Sequence, residues 1–163
     1  MLTSEGPWPE RADKLKAETN DFESVARQLG RTPRPFRVAA RCPFGTPSVI
    51  ENERARNMPT SFWITCPSLD RAISRLESAG GVRAAQEDVG EEAVEEVHAK
   101  HLIRYGTRVA GVGGPGGHVK CLHAFTALHF SGAIPNPVAE WTLERLEKPY
   151  PEDACCSVED GQT

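Results

Sequence analysis

The stretch TSFWITCPSLDRAISRLESAGG, residues 60–81, changes its period once, and that change decides the fold class. Its first half, Phe62 to Thr65, is β-branched and aromatic, a composition that suits a pleated and half-buried surface. Cys66 follows, and then Pro67, a residue preorganised for the first position of a helix. Leu69, Ala72, Ile73 and Leu76 then recur at spacings of three and four, which places them on one helical face, and Gly80 with Gly81 supplies the stop. A strand therefore runs directly into a helix through a cysteine–proline pair.

Upstream, FRVAARC (36–42) and PSVIEN (47–52) have the same strand composition and are bounded by PFGT and ERARNMP. The three segments predict a small antiparallel sheet, with Cys42 at its first turn and Cys66 at its end. Helical spacing is present in NDFESVARQLG (20–30), with an Asn20/Glu23 capping box and a Phe22, Val25, Ala26 and Leu29 stripe. It recurs from about Gly90 to Tyr105 with Val94, Val97, His101 and Leu102 inward, in VKCLHAFTALHFSG (119–132), and in VAEWTLERLE (138–147). In the last of these Trp141 points away from the Ala139, Leu143 and Leu146 face, toward a neighbouring element. The expectation is one α+β domain over residues 19–147, a small antiparallel sheet of about three strands covered by four or five helices. Residues 1–18 read as a disordered arm and 148–163 as a disordered acidic tail. Glycine density between 106 and 117 implies a flexible or tightly turned loop.

The 163 residues are 39% apolar, enough for one core of ordinary size. No run of about 18 apolar residues is present and the polar N-terminus lacks the apolar segment of a signal peptide, so a soluble cytoplasmic protein without membrane insertion is expected. A net charge of −4 argues against general nucleic-acid binding. The sign is uneven, however. Arg27, Arg31, Arg34, Arg37 and Arg41 share one stretch without an acid, and Glu87, Asp88, Glu91, Glu92, Glu95 and Glu96 form an acidic run. Arg31, Arg34 and Arg37, with Lys120 in the helix that VKCLHAFTALHFSG predicts, are the candidate anion contacts.

Five cysteines, three dispersed and two adjacent at 155 and 156, are not the framework of a small secreted fold, and they read as reduced thiols or metal ligands. Cys42 in a turn, Cys66 at a strand end and Cys121 at a helix start are positions from which short loops can bring three sulfurs to one zinc ion, and His123 or His118 is the nearest candidate for the fourth ligand. Residues two apart on a helix diverge by about 200°, so Cys121 and His123 can share an ion only if Cys121 precedes the first turn. Cys66 at a helix N-terminus can also be read as a reactive thiol. The reading PTSFWITCP places Pro59 seven residues before it, as in a peroxiredoxin, but Trp63 stands where that pattern needs threonine. GVGGPG (111–116) fits G-x-G-x-x-G on paper, although Pro115 spoils the helix start that a dinucleotide fingerprint needs. Glu95, His98 and His101 stand at three-residue spacing on one helix and lack the second Glu-x-x-His of a di-iron bundle. Neither they nor His129 can be assigned as acid or base from sequence, because that depends on burial.

VARQLGR, RCPFGTP, MPTSFWITCPSLDRAISRLESAG, VKCLHA and NPV, in this order over roughly residues 25–140, resemble the bacterial domain-of-unknown-function family 501. The resemblance implies a small cytoplasmic protein without an assigned activity, often encoded beside a septum-formation-initiator gene and an exopolyphosphatase gene. It thereby suggests a partner in cell division or a polyanion such as polyphosphate. It also implies that the motifs holding Cys42, Cys66, Cys121 and His123 matter together, since some members carry histidine at the position of Cys66. Two departures stand out: the loop before Lys120 lacks the family's acid, and NPVG is NPVA. Two functional expectations follow. One is a protein binding zinc, or less readily an iron–sulfur cluster, through Cys42, Cys66, Cys121 and His123. The other is a metal-free interaction module with an arginine-rich anion-binding surface.

Overall fold

The computed structural model describes residues 19–53, 61–111 and 116–150. The expected arm at 1–18, most of the tail from 151 and the middle of the glycine-rich loop, 112–115, lie outside the described residues.

Three strands, β1 (Phe36–Arg41), β2 (Pro47–Asn52) and β3 (Phe62–Ile64), pair antiparallel in the order β1-β2-β3. Register is set by Phe36 opposite Asn52 and Val38 opposite Ile50 on one side, and by Val49 opposite Ile64 on the other. An irregularity between Val38 and Ala40 marks the bulged end of β1. In β2, Val49 and Ile50 are both fully buried. Successive strand residues face opposite sides, so each side of the sheet must be covered. α1 (Thr19–Leu29) covers one side, where Val25 joins Phe36, Val38 and Ile50 in a small core. On the other side Val49 and Phe62 join the main core with Leu69, Ile73, Leu122, Phe125 and Leu128.

That main core is built by α2 (Pro67–Ser78), α3 (Gly81–Val89), α4 (Glu91–Tyr105), α5 (Leu122–His129) and α6 (Pro137–Arg145). The α+β architecture and the three-stranded antiparallel sheet match expectation, and the six α-helices among the described residues exceed it by one. The extra one is α3. Gly80, at φ +92, ends α2, but Gly81 already belongs to the next helix. A Cβ on Gly81 would come within 2.6 Å of the Leu76 carbonyl oxygen, so its glycine serves close packing rather than helix arrest. Two further expectations on α4 and α6 are refined. Leu102 is 46% exposed, and the inward place is taken by His98, which is fully buried. Trp141 does turn to a neighbour: its indole N–H donates to Asp88 of α3 at 2.8 Å, and Arg145 stacks on the ring at 4.2 Å.

Beyond α6, Pro149 and Tyr150 return to the sheet end of the molecule. Ser68 Oγ donates to the Pro149 carbonyl at 2.8 Å, and the Tyr150 hydroxyl donates to Ser48 Oγ at 3.4 Å. Asn136 of NPV caps α6 by accepting from the Ala139 amide at 3.0 Å, while its amide donates to the Phe125 carbonyl at 2.8 Å. It thus ties the start of α6 to α5 from a buried position. Asn136→Ala removes both bonds, and the expected loss is about 2 kcal/mol of unfolding free energy, measurable by urea denaturation.

Candidate functional site

α2 buries Leu69, Ala72 and Ile73, and helical geometry then leaves Asp70, Ser74 and Glu77 on its flank and Arg71, Arg75 and Ser78 further out. α5 begins beside that flank. Glu77 Oε2 accepts the Leu122 amide at 2.7 Å, filling one of the donors that a helix start leaves unpaired. The same oxygen faces His123 Nδ1 at 3.3 Å. His123 Nε2 lies 3.0 Å from Asp70 Oδ1, 3.3 Å from the Asp70 carbonyl and 3.3 Å from Ser74 Oγ. The motifs SRLE and KCLH, distant in sequence, therefore meet at one imidazole that is 26% exposed.

Next to this imidazole, Arg71, Ser74, Arg75, Ser78 and Ala79 line a shallow, widely open groove along the outer face of α2. Both arginines are exposed, and among the described residues no carboxylate pairs with either. Four residues on a helix rise about 6 Å, so the two guanidinium groups and the two hydroxyls repeat once along the groove. Ser74 belongs to both environments, to His123 on one side and to the groove on the other. This face was not singled out from sequence; the signal was the polar spacing at 71, 74, 75 and 78, which any solvated helix face shares.

The four residues expected to bind metal do not come together as one ligand group among the described residues. Cys42 is buried in the turn after β1, where its Sγ accepts the Phe44 amide at 3.3 Å, and Cys66 is 3% exposed at the head of α2. Both lie toward Tyr150, whose phenol is pushed up first by burial and further by these two thiols. Cys121 turns to its own helix instead, with Sγ accepting the Ala124 amide at 3.3 Å. Burial raises the Cys121 thiol pKa, and the Glu77 carboxylate acts in the same direction, which outweighs the helix-start amides. His123 is drawn to the carboxylates of α2. Among the described residues no group of three or more His, Cys, Asp or Glu is placed to hold a metal ion, so neither zinc nor an iron–sulfur cluster finds a donor set there. Burial likewise closes Cys66 to the substrate access that a peroxiredoxin-like thiol requires.

The arginine stretch is partly neutralised by the fold. Arg37 is buried and pairs with Glu51 at 2.6 Å across the β1–β2 ladder, and Arg41 pairs with Asp21 of α1 at 2.8 Å. Arg31 stacks on Trp63 at 5.3 Å, while Arg34 and Lys120 are exposed on separate connections. The four expected anion contacts are thus spread over three parts of the chain, and Arg37 is withdrawn from solvent.

Glu95, His98 and His101, the three-spaced residues of α4, anchor the glycine-rich loop. Arg108 makes a forked pair with Glu95 and donates to the Gly116 carbonyl at 2.6 Å. This pairing holds the Glu95 carboxyl below the usual range. His98 Nδ1 accepts the Val109 amide at 3.2 Å and its Nε2 donates to the His118 carbonyl at 2.7 Å, so a neutral ring joins both ends of the loop. His101 bonds the Thr107 carbonyl. Gln86 of α3 completes the bracket, donating to the Gly117 carbonyl at 2.6 Å and accepting the Val119 amide at 2.7 Å.

A small α+β protein with a histidine-backed arginine and serine groove on one helix is thereby defined. Residues 38–109, from β1 to the entry of the glycine-rich loop, match the family described as Protein of unknown function (DUF501). Cys121, His123 and Asn136 lie beyond the matched residues. No match is found among the curated proteins or the solved structures. Among the described residues no helix is long and apolar enough to cross a membrane.

Proposed function

We propose that this chain is a metal-free interaction module that recognises an anionic partner through the outer face of α2. The observation that carries this reading is the pair of exposed guanidinium groups, Arg71 and Arg75, one turn apart in a groove with Ser74 and Ser78 and without a carboxylate partner among the described residues. On a chain of net charge −4, two exposed cations without a carboxylate partner among the described residues, side by side on one open helix face, support binding of a ligand that brings its own negative charge. Guanidinium forks suit phosphate and carboxylate oxygens alike, and the hydroxyls add neutral donors. A condensed phosphate chain or an acidic segment of a cytoplasmic division protein belongs to this class.

Calorimetric titration of tripolyphosphate into the full chain tests the reading. Arg71→Glu combined with Arg75→Glu is expected to weaken binding by about ten- to a hundredfold, and Arg34→Glu to change it little. Affinity should fall as salt is raised, because the contacts are exposed. Equal binding by the unmodified chain and the double variant would refute the groove as the recognition face.

A further inference from the structure

We propose that residues 146–150, the segment that follows α6, form a strap over the end of the sheet that shields two thiols, Cys42 and Cys66, and whose release turns them from inert to reactive. The segment is anchored at both ends. Leu146 leaves α6 in extended backbone and packs against the main core, and Tyr150 packs against the same core four residues later. Glu147 and Lys148 between them are exposed.

Two hydrogen bonds fasten the far end. Ser68 Oγ, in the first turn of α2, donates to the Pro149 carbonyl at 2.8 Å, and the Tyr150 hydroxyl donates to Ser48 Oγ at 3.4 Å. Ser48 is fully buried in β2, and the backbone around it places both thiols. Its carbonyl accepts the Cys66 amide at 3.3 Å, and two residues earlier the Thr46 carbonyl accepts the Cys42 amide at 2.8 Å. The Tyr150 phenol therefore reaches the part of β2 that Cys42 and Cys66 flank. Cys66 also belongs to the core against which the Tyr150 ring packs. The phenol senses both thiols, since burial raises its pKa first and each of the two cysteines raises it further.

The turn that closes the strap is strained. A residue before proline favours extended backbone, and a side chain with a Cβ avoids positive φ. Lys148 precedes Pro149 and holds φ at +50. Closure thus works against the backbone and depends on the Tyr150 ring and the bonds to Ser68 and Ser48. A short segment with few contacts and a strained turn belongs to the low-stability end of a fold, which opens without global unfolding. Opening would leave the sheet intact, because the strap contributes no strand to it.

Alkylation by iodoacetamide reads the open state, since the sulfur must reach the reagent's carbon to displace iodide, its proton passing to the buffer. Mass spectrometry of the digested full chain separates Cys42 and Cys66 from the other cysteines. In the unmodified chain both are expected to react slowly, at rates nearly independent of urea below the unfolding transition, because strap opening exposes little surface. Tyr150→Ala should speed both by about tenfold or more and Ser68→Ala by about threefold, whereas Tyr150→Phe, which keeps the ring, should change them by no more than about twofold. If Tyr150→Ala shows no cooperative unfolding transition, Ser68→Ala and the urea series decide. Unchanged rates in the Ala variants that fold would overturn the strap. Labelling of the unmodified chain that climbs with urea as steeply as global unfolding would overturn it as well.

Discussion

Gly117→Ala is expected to cost at least about 3 kcal/mol, because the added methyl has nowhere to go. A Cβ at this residue would lie 1.8 Å from the Glu91 carbonyl oxygen and 2.7 Å from the Glu95 amide nitrogen, both backbone atoms of α4. Side chains can rotate away from a clash, but a helix backbone cannot without moving whole. The shift would also strain the bonds from Gln86 and Arg108 that hold Gly117 and Gly116 in place. Thermal unfolding should show a fall in Tm of about 10 °C relative to the unmodified chain. Gly45→Ala is the contrasting case: space is open there and only the positive φ of +88 is strained, so a loss of about 1 kcal/mol is expected. Equal Tm values for Gly117→Ala and the unmodified chain would show that the loop does not sit against α4.

His98 should make the fold acid-sensitive. Its pKa is lowered first by burial, with the Arg108 and His118 charges acting in the same direction and the His118 carbonyl and Glu95 opposing. In the unfolded chain the group titrates at its ordinary value, near 6.5. Above that pH both states are neutral and the stability is fully present. Below it the unfolded chain binds the proton first, so stability falls as pH drops toward the lower folded value, by up to about 1.4 kcal/mol per pH unit. Once charged, the ring must donate from Nδ1, and the Val109 amide loses its acceptor. His98→Leu keeps the volume but leaves the Val109 amide and the His118 carbonyl unpaired, at a cost of about 3 kcal/mol at neutral pH. Urea denaturation between pH 7.5 and 5 should show a shallower acid slope in His98→Leu than in the unmodified chain. Identical slopes would place the acid sensitivity on groups other than His98.

Much of the fold was legible because period and composition are local properties. Branched and aromatic residues at 36–41, 47–52 and 62–64 could do little but pair, and apolar spacing of three and four marked five of the six helices. α3 was missed for a physical reason. Gly80 and Gly81 look alike in sequence, yet Gly80 turns the chain through a positive φ whereas Gly81 lets α3 approach Leu76. Leu102 and His98 exchanged places because a satisfied histidine can be buried as completely as a leucine, and the bonds that satisfy it come from Val109 and His118, beyond its own helix.

The site was legible only in part. Sequence alone determined the α+β class, the antiparallel sheet, the helix start at Cys66–Pro67 and the titratable residues of KCLH. Which of those residues meet was decided by the tertiary structure. Cys121 and His123 are two positions apart at a helix start, and their side chains part: the thiol caps α5, and the imidazole crosses to Asp70, Ser74 and Glu77. Arg37 and Arg71 are both arginines on polar stretches, and only the packing of Glu51 against one and open space beside the other separates a buried ion pair from an available cation. A contact between distant segments depends on the angle and depth at which whole elements dock. That geometry is set by the shape of the shared core of Leu69, Ile73, Leu122 and Phe125, and not by any residue's immediate neighbours in the chain.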